Sequence, residues 1–187
     1  MSAHIVLRLA THRDSARLLA WRNLPQVAQW MYSDHLIAAE EHARWSQSAL
    51  TDPRCRYWII ELDGTPVGLA NLGDISETNR KASWAYYLAE PATRGKGVGA
   101  YVEVFVLDHA FQTLGLNKLS CEVLIENDAV WKMHESFGFV REALYRAHVW
   151  KGGDPRDVVG LAILADQWAA ARPASVARLR EKGFEID

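Results

Sequence analysis

The chain opens on an alternation. Between His4 and Leu9 the apolar Ile5, Leu7 and Leu9 are separated by Val6 and Arg8, a period of two that predicts a half-buried strand. Thr11, with Asp14 three residues on in a weak capping box, starts a helix that runs to about Asn23. Pro25 suits the start of a second helix over residues 26–30. Residues 31–39 read as loop, residues 40–50 as a third helix carrying His42 and Trp45, and Pro53 closes the block. Three strands follow at 56–61, 66–72 and 82–89, and Asp63-Gly64 between the first two signals an antiparallel hairpin. Pro91 ends the third strand. A glycine-rich run then opens a helix with Val102, Val106, Ala110 and Leu114 at helical spacing. Residues 118–124 form another strand, and Asn127 or Asp128 caps a helix that ends at Phe137, with Gly138 as its left-handed terminator. Strands over 140–150 and 158–165 are joined across Gly152-Gly153, and residues 173–182 read as an exposed terminal helix.

Composition narrows the class. A chain of 187 residues makes one domain over 1–187, with 170–187 as a C-terminal extension helix. Lys and Arg number 21 against 23 for Asp and Glu, a net charge of −2, which gives no electrostatic reason to expect nucleic-acid or membrane partners. No stretch approaches the roughly 18–20 apolar residues that span a bilayer, so a soluble, cytoplasmic protein is expected. Cys55 and Cys121 are then free thiols, and no CxxC or HxxxH spacing calls for a metal.

The run Arg94-Gly95-Lys96-Gly97-Val98-Gly99 lies between a predicted strand and a predicted helix. There, outward N–H groups and the helix dipole favour an anion, glycines let a phosphate approach the backbone, and Arg94 and Lys96 add charge. Taken alone, the same residues also satisfy a tight turn with no ligand. Neither GxxxxGK[ST] nor the dinucleotide GxGxxG spacing is present. Downstream, Asn127 is followed by Val130, Trp131, His134 and Gly138-Phe139. Together with the strand order, the two motifs resemble the GCN5-related N-acetyltransferase (GNAT) superfamily over essentially the whole chain.

That resemblance implies an α/β fold: a twisted, mostly antiparallel sheet of about seven strands, splayed between strands 4 and 5 and flanked by helices. It implies acetyl-CoA as cosubstrate and no metal. The pantetheine arm would lie along Leu88 and Ala89, the pyrophosphate on Arg94, Gly95, Lys96, Gly97, Val98, Gly99 and Ala100, and Asn127 would touch the cofactor. Backbone N–H groups near Leu88 and Ala89 would polarise the thioester carbonyl. The family's proton donor, a tyrosine seven residues after the asparagine, is replaced by His134. Val130 and Phe137 share its helical face, which turns the imidazole inward, where it is either the general acid or a hydrogen-bonded core histidine. Tyr145 and Tyr86 are the fallback donors. Glu126 is the nearest candidate base and a poor one, so the base stays unassigned.

Upstream, Trp21, Arg22, Asn23, Trp30, Met31, His42 and Trp45 are similar to enzymes that acetylate a UDP-linked 4-amino-4,6-dideoxy sugar in pseudaminic acid biosynthesis, the pathway of flagellin glycosylation. On that reading Arg22, Asn23, Trp30, Met31, His42 and Trp45 bind the sugar nucleotide, tryptophans stacking on rings and Arg22 reaching the diphosphate. Aromatics at helical spacing are equally core residues. The alternative is a ribosomal-protein-type N-terminal acetyltransferase, which would want an open, acidic groove. A third reading is a degenerate acetyl-CoA-binding module that regulates a partner. Homodimers are common in the family, which makes a second copy of the chain a candidate partner.

Overall fold

The opening alternation forms β1 (Ile5–Leu9), the edge of a seven-stranded sheet, in a computed structural model that describes residues 4–186. Helices α1 (Ser15–Arg22), α2 (Pro25–Ala28) and α3 (Ala39–Ala49) precede the meander β2 (Arg56–Leu62), β3 (Thr65–Ser76) and β4 (Lys81–Leu88). Asp63 (φ +50°) and Gly64 (φ +77°) both sit in the left-handed region, the backbone of a primed two-residue hairpin, whose twist matches that of the strands it joins. Next come α4 (Val98–Asp108), prolonged by a π-helical turn over His109–Thr113, then β5 (Lys118–Leu124), α5 (Asp128–Ser136), the hairpin β6 (Val140–Lys151) and β7 (Asp154–Leu164), and α6 (Ala165–Glu181). The strand order is β1-β2-β3-β4-β5-β7-β6. Every neighbouring pair is antiparallel except β4 and β5, which run parallel and pair only at Lys81–Lys118, Ala82–Leu119 and Ser83–Ser120. Beyond those three pairs the strands part, which is the expected splay.

Both faces of the sheet are covered. One packs Trp58, Leu72, Trp84 and Leu119 against Val102 and Leu107 of α4 and Trp168 and Leu179 of α6. The other packs Ile59 and Leu69 under Leu18, Trp21 and Val27. Leu9, expected inside, is exposed at the end of its strand.

The C-terminal helix differs from its expectation. It starts at Ala165 and runs through Pro173. Trp168, Ser175, Val176 and Leu179 are buried. Proline removes an N–H and leaves the carbonyl four residues back unpaired, which is tolerated because Pro173 and Ala169 both face solvent. Asp108 at the end of α4 anchors the helix by accepting from Trp168 Nε1 (2.9 Å) and from two guanidinium nitrogens of Arg172 (2.8 and 2.9 Å). What reads as an appendage is a structural wall, and it ends with Phe184 beneath the glycine loop. Strand β7 likewise begins at Asp154, four residues before its apolar run, because the hairpin turns on Gly152 (φ +62°) and Gly153 (φ +84°).

Candidate active site

The splay opens a cleft of about 1360 Å³ between β4 and β5. Its first wall is the end of β4. Ala89 N–H donates to Val67 O (2.8 Å) while Leu88 faces Gly68, so Leu88–Gly68 is a non-hydrogen-bonded pair whose Leu88 N–H and carbonyl turn toward the side β5 has left. The Leu88 N–H is thus a free donor at the cleft. The Ala89 N–H, expected to share in polarising a carbonyl, is already spent on β3.

Beyond β4 the chain turns through Gly95 (φ +74°) and Gly97 (φ +76°), the latter capping α4. Side-chain-bearing residues rarely adopt this backbone, so two glycines are required to bring the loop onto the helix N-terminus. A Cβ on Gly97 would stand 2.8 Å from the Phe184 ring, and one on Gly99 3.1 Å from the Tyr86 hydroxyl, whereas Gly95 has nothing within 4 Å. Leu88, Ala89, Arg94, Gly95, Gly97, Val98, Gly99, Ala100 and Asn127 all line the cleft; the exposed Lys96 does not. Arg178 and Lys182 join Arg94 here, three cations against Glu90 and Glu181. An open glycine loop, a helix N-terminus and these cations fit the phosphates of acetyl-CoA.

His134 lies on the cleft floor, 3% exposed. Its ring packs among Trp84, Tyr86 and Phe139 at centroid distances of 5.1, 6.4 and 5.3 Å, and Nδ1 is 2.8 Å from Glu103 Oε1. Burial opposes a charge on this imidazole, but the Glu103 carboxylate and the Cys121 thiol outweigh it and carry the pKa up to about 10. Tyr86 also borders the cleft, its hydroxyl 3.7 Å from Met133 Sδ, and burial pushes its pKa up. Tyr145 stands at the mouth, tilted against His148 at 5.0 Å. Glu126 is turned into a separate hollow of about 570 Å³ and pairs with Arg156 at 3.3 Å, so the carboxylate nearest in sequence is not in the cleft.

Two glutamates carry what the sequence reading missed. Glu103 is one. The other is Glu122, on β5 just past the splay, whose Oε2 accepts from the Tyr32 hydroxyl at 2.7 Å. Its signal was present: Ser120 and Glu122 alternate with the apolar Leu119, Cys121 and Val123, and that alternation sets the polar side chains on one face of β5. Asp74 and Glu142 join Glu122, and Glu142 is paired with Lys118.

Of the residues expected to bind the acceptor, Trp30 and Met31 line the cleft. Arg22, Asn23, His42 and Trp45 do not, because their side chains are engaged elsewhere. Arg22 donates to Ser33 Oγ (3.1 Å), and burial lowers its pKa. Asn23 clamps the backbone of Ile37 through both amide atoms (2.9 and 3.0 Å). His42 is buried with Nδ1 3.2 Å from Ser15 Oγ, and Trp45 packs between His42 and Tyr57. Arg22 and Asn23 thereby hold residues 29–37, the segment carrying Trp30–Tyr32, in place. Lys151 from the β6–β7 turn braces the same segment by donating to Ala28 O (3.0 Å) and Ser33 O (3.3 Å).

Among the described residues no cluster of His, Cys, Asp or Glu is placed to hold a metal, and no helix is long and apolar enough to cross a membrane. Residues 4–140 match the model of the acetyltransferase (GNAT) domain. A putative ribosomal N-acetyltransferase, YdaF of Bacillus subtilis, is 24% identical over 177 residues, covering 90% of this chain and 95% of the relative. The spermidine N(1)-acetyltransferase of Escherichia coli is 25% identical over 170 residues (90% and 91%), and the acetyltransferase PseH of Campylobacter jejuni 27% over 122 residues (65% and 74%). Among solved structures, the spermidine N-acetyltransferase of Vibrio cholerae in complex with CoA and spermine superposes with a TM-score of 0.82 at 22% identity, over 88% of this chain and 98% of that one. A sheet splayed at its fourth and fifth strands, a glycine loop opening a helix beside the gap, and a family match across residues 4–140 lead to one conclusion: the chain belongs to the GNAT family and is an acetyl-CoA-dependent N-acetyltransferase.

Proposed function

We propose that the acceptor is the N-terminal amine of a basic polypeptide, acetylated by direct attack on the acetyl-CoA thioester. The observation that supports this most is the division of charge in the cleft. Cations gather at the glycine loop, while the opposite end, lined by Trp30, Met31, Tyr32 and Tyr145, carries Asp74, Glu122 and Glu142, of which Glu142 is neutralised by Lys118; among the described residues no lysine or arginine lines the cleft at this end. An anionic mouth attracts a cationic acceptor and repels a nucleoside diphosphate. Coverage of the putative ribosomal N-acetyltransferase nearly end to end agrees with this reading. Glu122 takes the proton that the ammonium must lose, the Leu88 N–H polarises the carbonyl, and His134 protonates the thiolate.

The UDP-linked 4-amino sugar of pseudaminic acid biosynthesis is the second reading, favoured by the exposed rings of Trp30 and Tyr32, on which a sugar or uracil would stack. It lacks a cation for the diphosphate, since Arg22 is turned to Ser33. Measuring kcat/KM for peptides with basic N-termini, for spermidine and for the UDP-amino sugar decides among them. The peptides are expected to lead, and a sugar nucleotide turned over fastest would overturn the proposal. Glu122→Gln keeps a partner for Tyr32 but removes the base, so kcat/KM should fall about 10²-fold with the KM for acetyl-CoA unchanged. An unaffected kcat/KM would take Glu122 out of the mechanism.

A further inference from the structure

We propose that Glu103 is a positioning residue for acetyl transfer: its carboxylate holds the His134 ring by Nδ1, so that Nε2–H serves as the proton donor to the departing CoA thiolate. The inference rests on the acetyl-transfer reading of the cleft and adds a residue that does not itself line it.

Glu103 is out of character with its helix. The segment VGAYVEVFVLD is apolar from Val98 to Leu107 apart from this one side chain, which is completely buried. One carboxylate oxygen meets His134 at 2.8 Å, and the other has no hydrogen-bond partner among the described residues. Burying a carboxylate with an unsatisfied oxygen is costly, and an apolar residue of similar volume would staple α4 to α5 at no such cost. Packing therefore does not account for a glutamate here, whereas its effect on the imidazole does.

The surroundings of His134 fix what the ring can do. Glu103 faces it from α4, Cys121 from β5, Tyr86 and Trp84 from β4, and Phe139 from the chain after α5. Glu103 is the anion among them. With Nδ1 on Glu103, Nε2 is the nitrogen left to the side where Cys121 meets the ring, and His134, Cys121 and Tyr86 all line the cleft. Against the opposing effect of burial, the Glu103 carboxylate favours the protonated ring and raises its pKa. In the step itself, the amine nitrogen bonds to the acetyl carbon, the C–S bond breaks with its electron pair going to sulfur, and the thiolate takes the Nε2 proton. The ammonium's first proton has gone to Glu122 before the attack, the second leaves the nitrogen for solvent as the amide forms, and a solvent proton restores the imidazolium.

Two measurements test this. Glu103→Gln preserves size and a hydrogen-bond acceptor while removing the charge, so the imidazole should lose its proton at lower pH. At pH 8, kcat is expected to fall about 10- to 100-fold and to recover as the pH is lowered toward 6, with the acetyl-CoA KM unchanged. The acceptor is whichever substrate the protein turns over fastest, so the result does not depend on the acceptor proposed above. A kcat–pH profile superimposable on that of the unaltered protein would overturn the proposal. The second measurement needs no variant and no acceptor: the Nε2 resonance of His134 is followed in the ¹⁵N-histidine-labelled protein. CoA should shift it and desulfo-CoA, which lacks the thiol, should not. Equal shifts from the two, or a ring that is neutral at pH 7, would overturn the assignment even if Glu103→Gln fails to fold.

Discussion

Gly97→Val is expected to abolish acetyl-CoA binding and to lower the melting temperature at the same time. The stability loss has two causes. A residue with a Cβ at φ +76° is strained by about 1–2 kcal/mol, which in a chain of this size lowers the melting temperature by about 2–8 °C. The new side chain also meets the Phe184 ring at 2.8 Å, so the end of the chain must shift. Binding is lost because the loop that presents its amides to the pyrophosphate can no longer close onto α4. Gly95→Ala separates strain from collision, since Gly95 has a similar φ of +74° and nothing within 4 Å of its would-be Cβ. Titration calorimetry with CoA, run beside thermal melts, reads both effects. A folded Gly97→Val protein that binds CoA like the unaltered one would remove the phosphate cradle from this loop.

His134→Phe is expected to lower kcat by about 10²- to 10⁴-fold and to destabilise the fold as well. Phenylalanine fills the space among Trp84, Tyr86 and Phe139, but it leaves Glu103 buried without a cation, a loss of about 3–5 kcal/mol when one partner of such a pair is removed. Stability alone therefore does not distinguish a catalytic from a structural histidine here. The double variant His134→Phe/Glu103→Leu does: it should regain the melting temperature without regaining turnover, and a double variant that is both stable and active would end the general-acid role. The pH dependence has a definite sign. The folded His134 pKa of about 10 lies above its ordinary 6.5, so the folded state binds the extra proton. The pair's contribution is then present in full below about pH 6.5 and is lost as the pH rises through about 10. The stability advantage of the unaltered protein over the double variant should shrink across that window.

Local signals carried much of the architecture. Asp63-Gly64 set a hairpin, the Gly95–Gly99 run marked the strand-to-helix turn, and the spacing of Val130, His134 and Phe137 gave the inward face of α5. Each depends on backbone conformation or periodicity within a few residues, which sequence displays directly. Glu103 was illegible for the opposite reason. A glutamate in an apolar helix reads as that helix's solvent face, and only its meeting with His134, 31 residues on, explains its burial. The acceptor side is legible only in part for a similar reason: the resemblance points to Arg22, Asn23 and His42 as well as to Trp30 and Met31, but whether such a side chain faces a cleft or braces the wall behind it is set by Ser33, Ile37 and Ser15. Pro173 misled because proline more often begins a helix than sits within one.

The three residue pairs that join β4 to β5 make this sheet two half-sheets sewn by a short seam. One half, β1 to β4, carries the glycine loop at its end; the other, β5 to β7, carries Glu122. Along the rest of the gap the free backbone edge of β4, Leu88 included, has no strand to pair with. A chain of amides laid there, as the pantetheine arm would be, would act as the missing stitch. It would complete the ladder while delivering its thioester to the line where the halves meet. The donor would then be part of the scaffold as well as a reactant, and mass action would make its occupancy a component of stability. Amides flanking the seam should exchange with solvent far more slowly when CoA is bound, and each release of CoA briefly restores the looser, two-part protein.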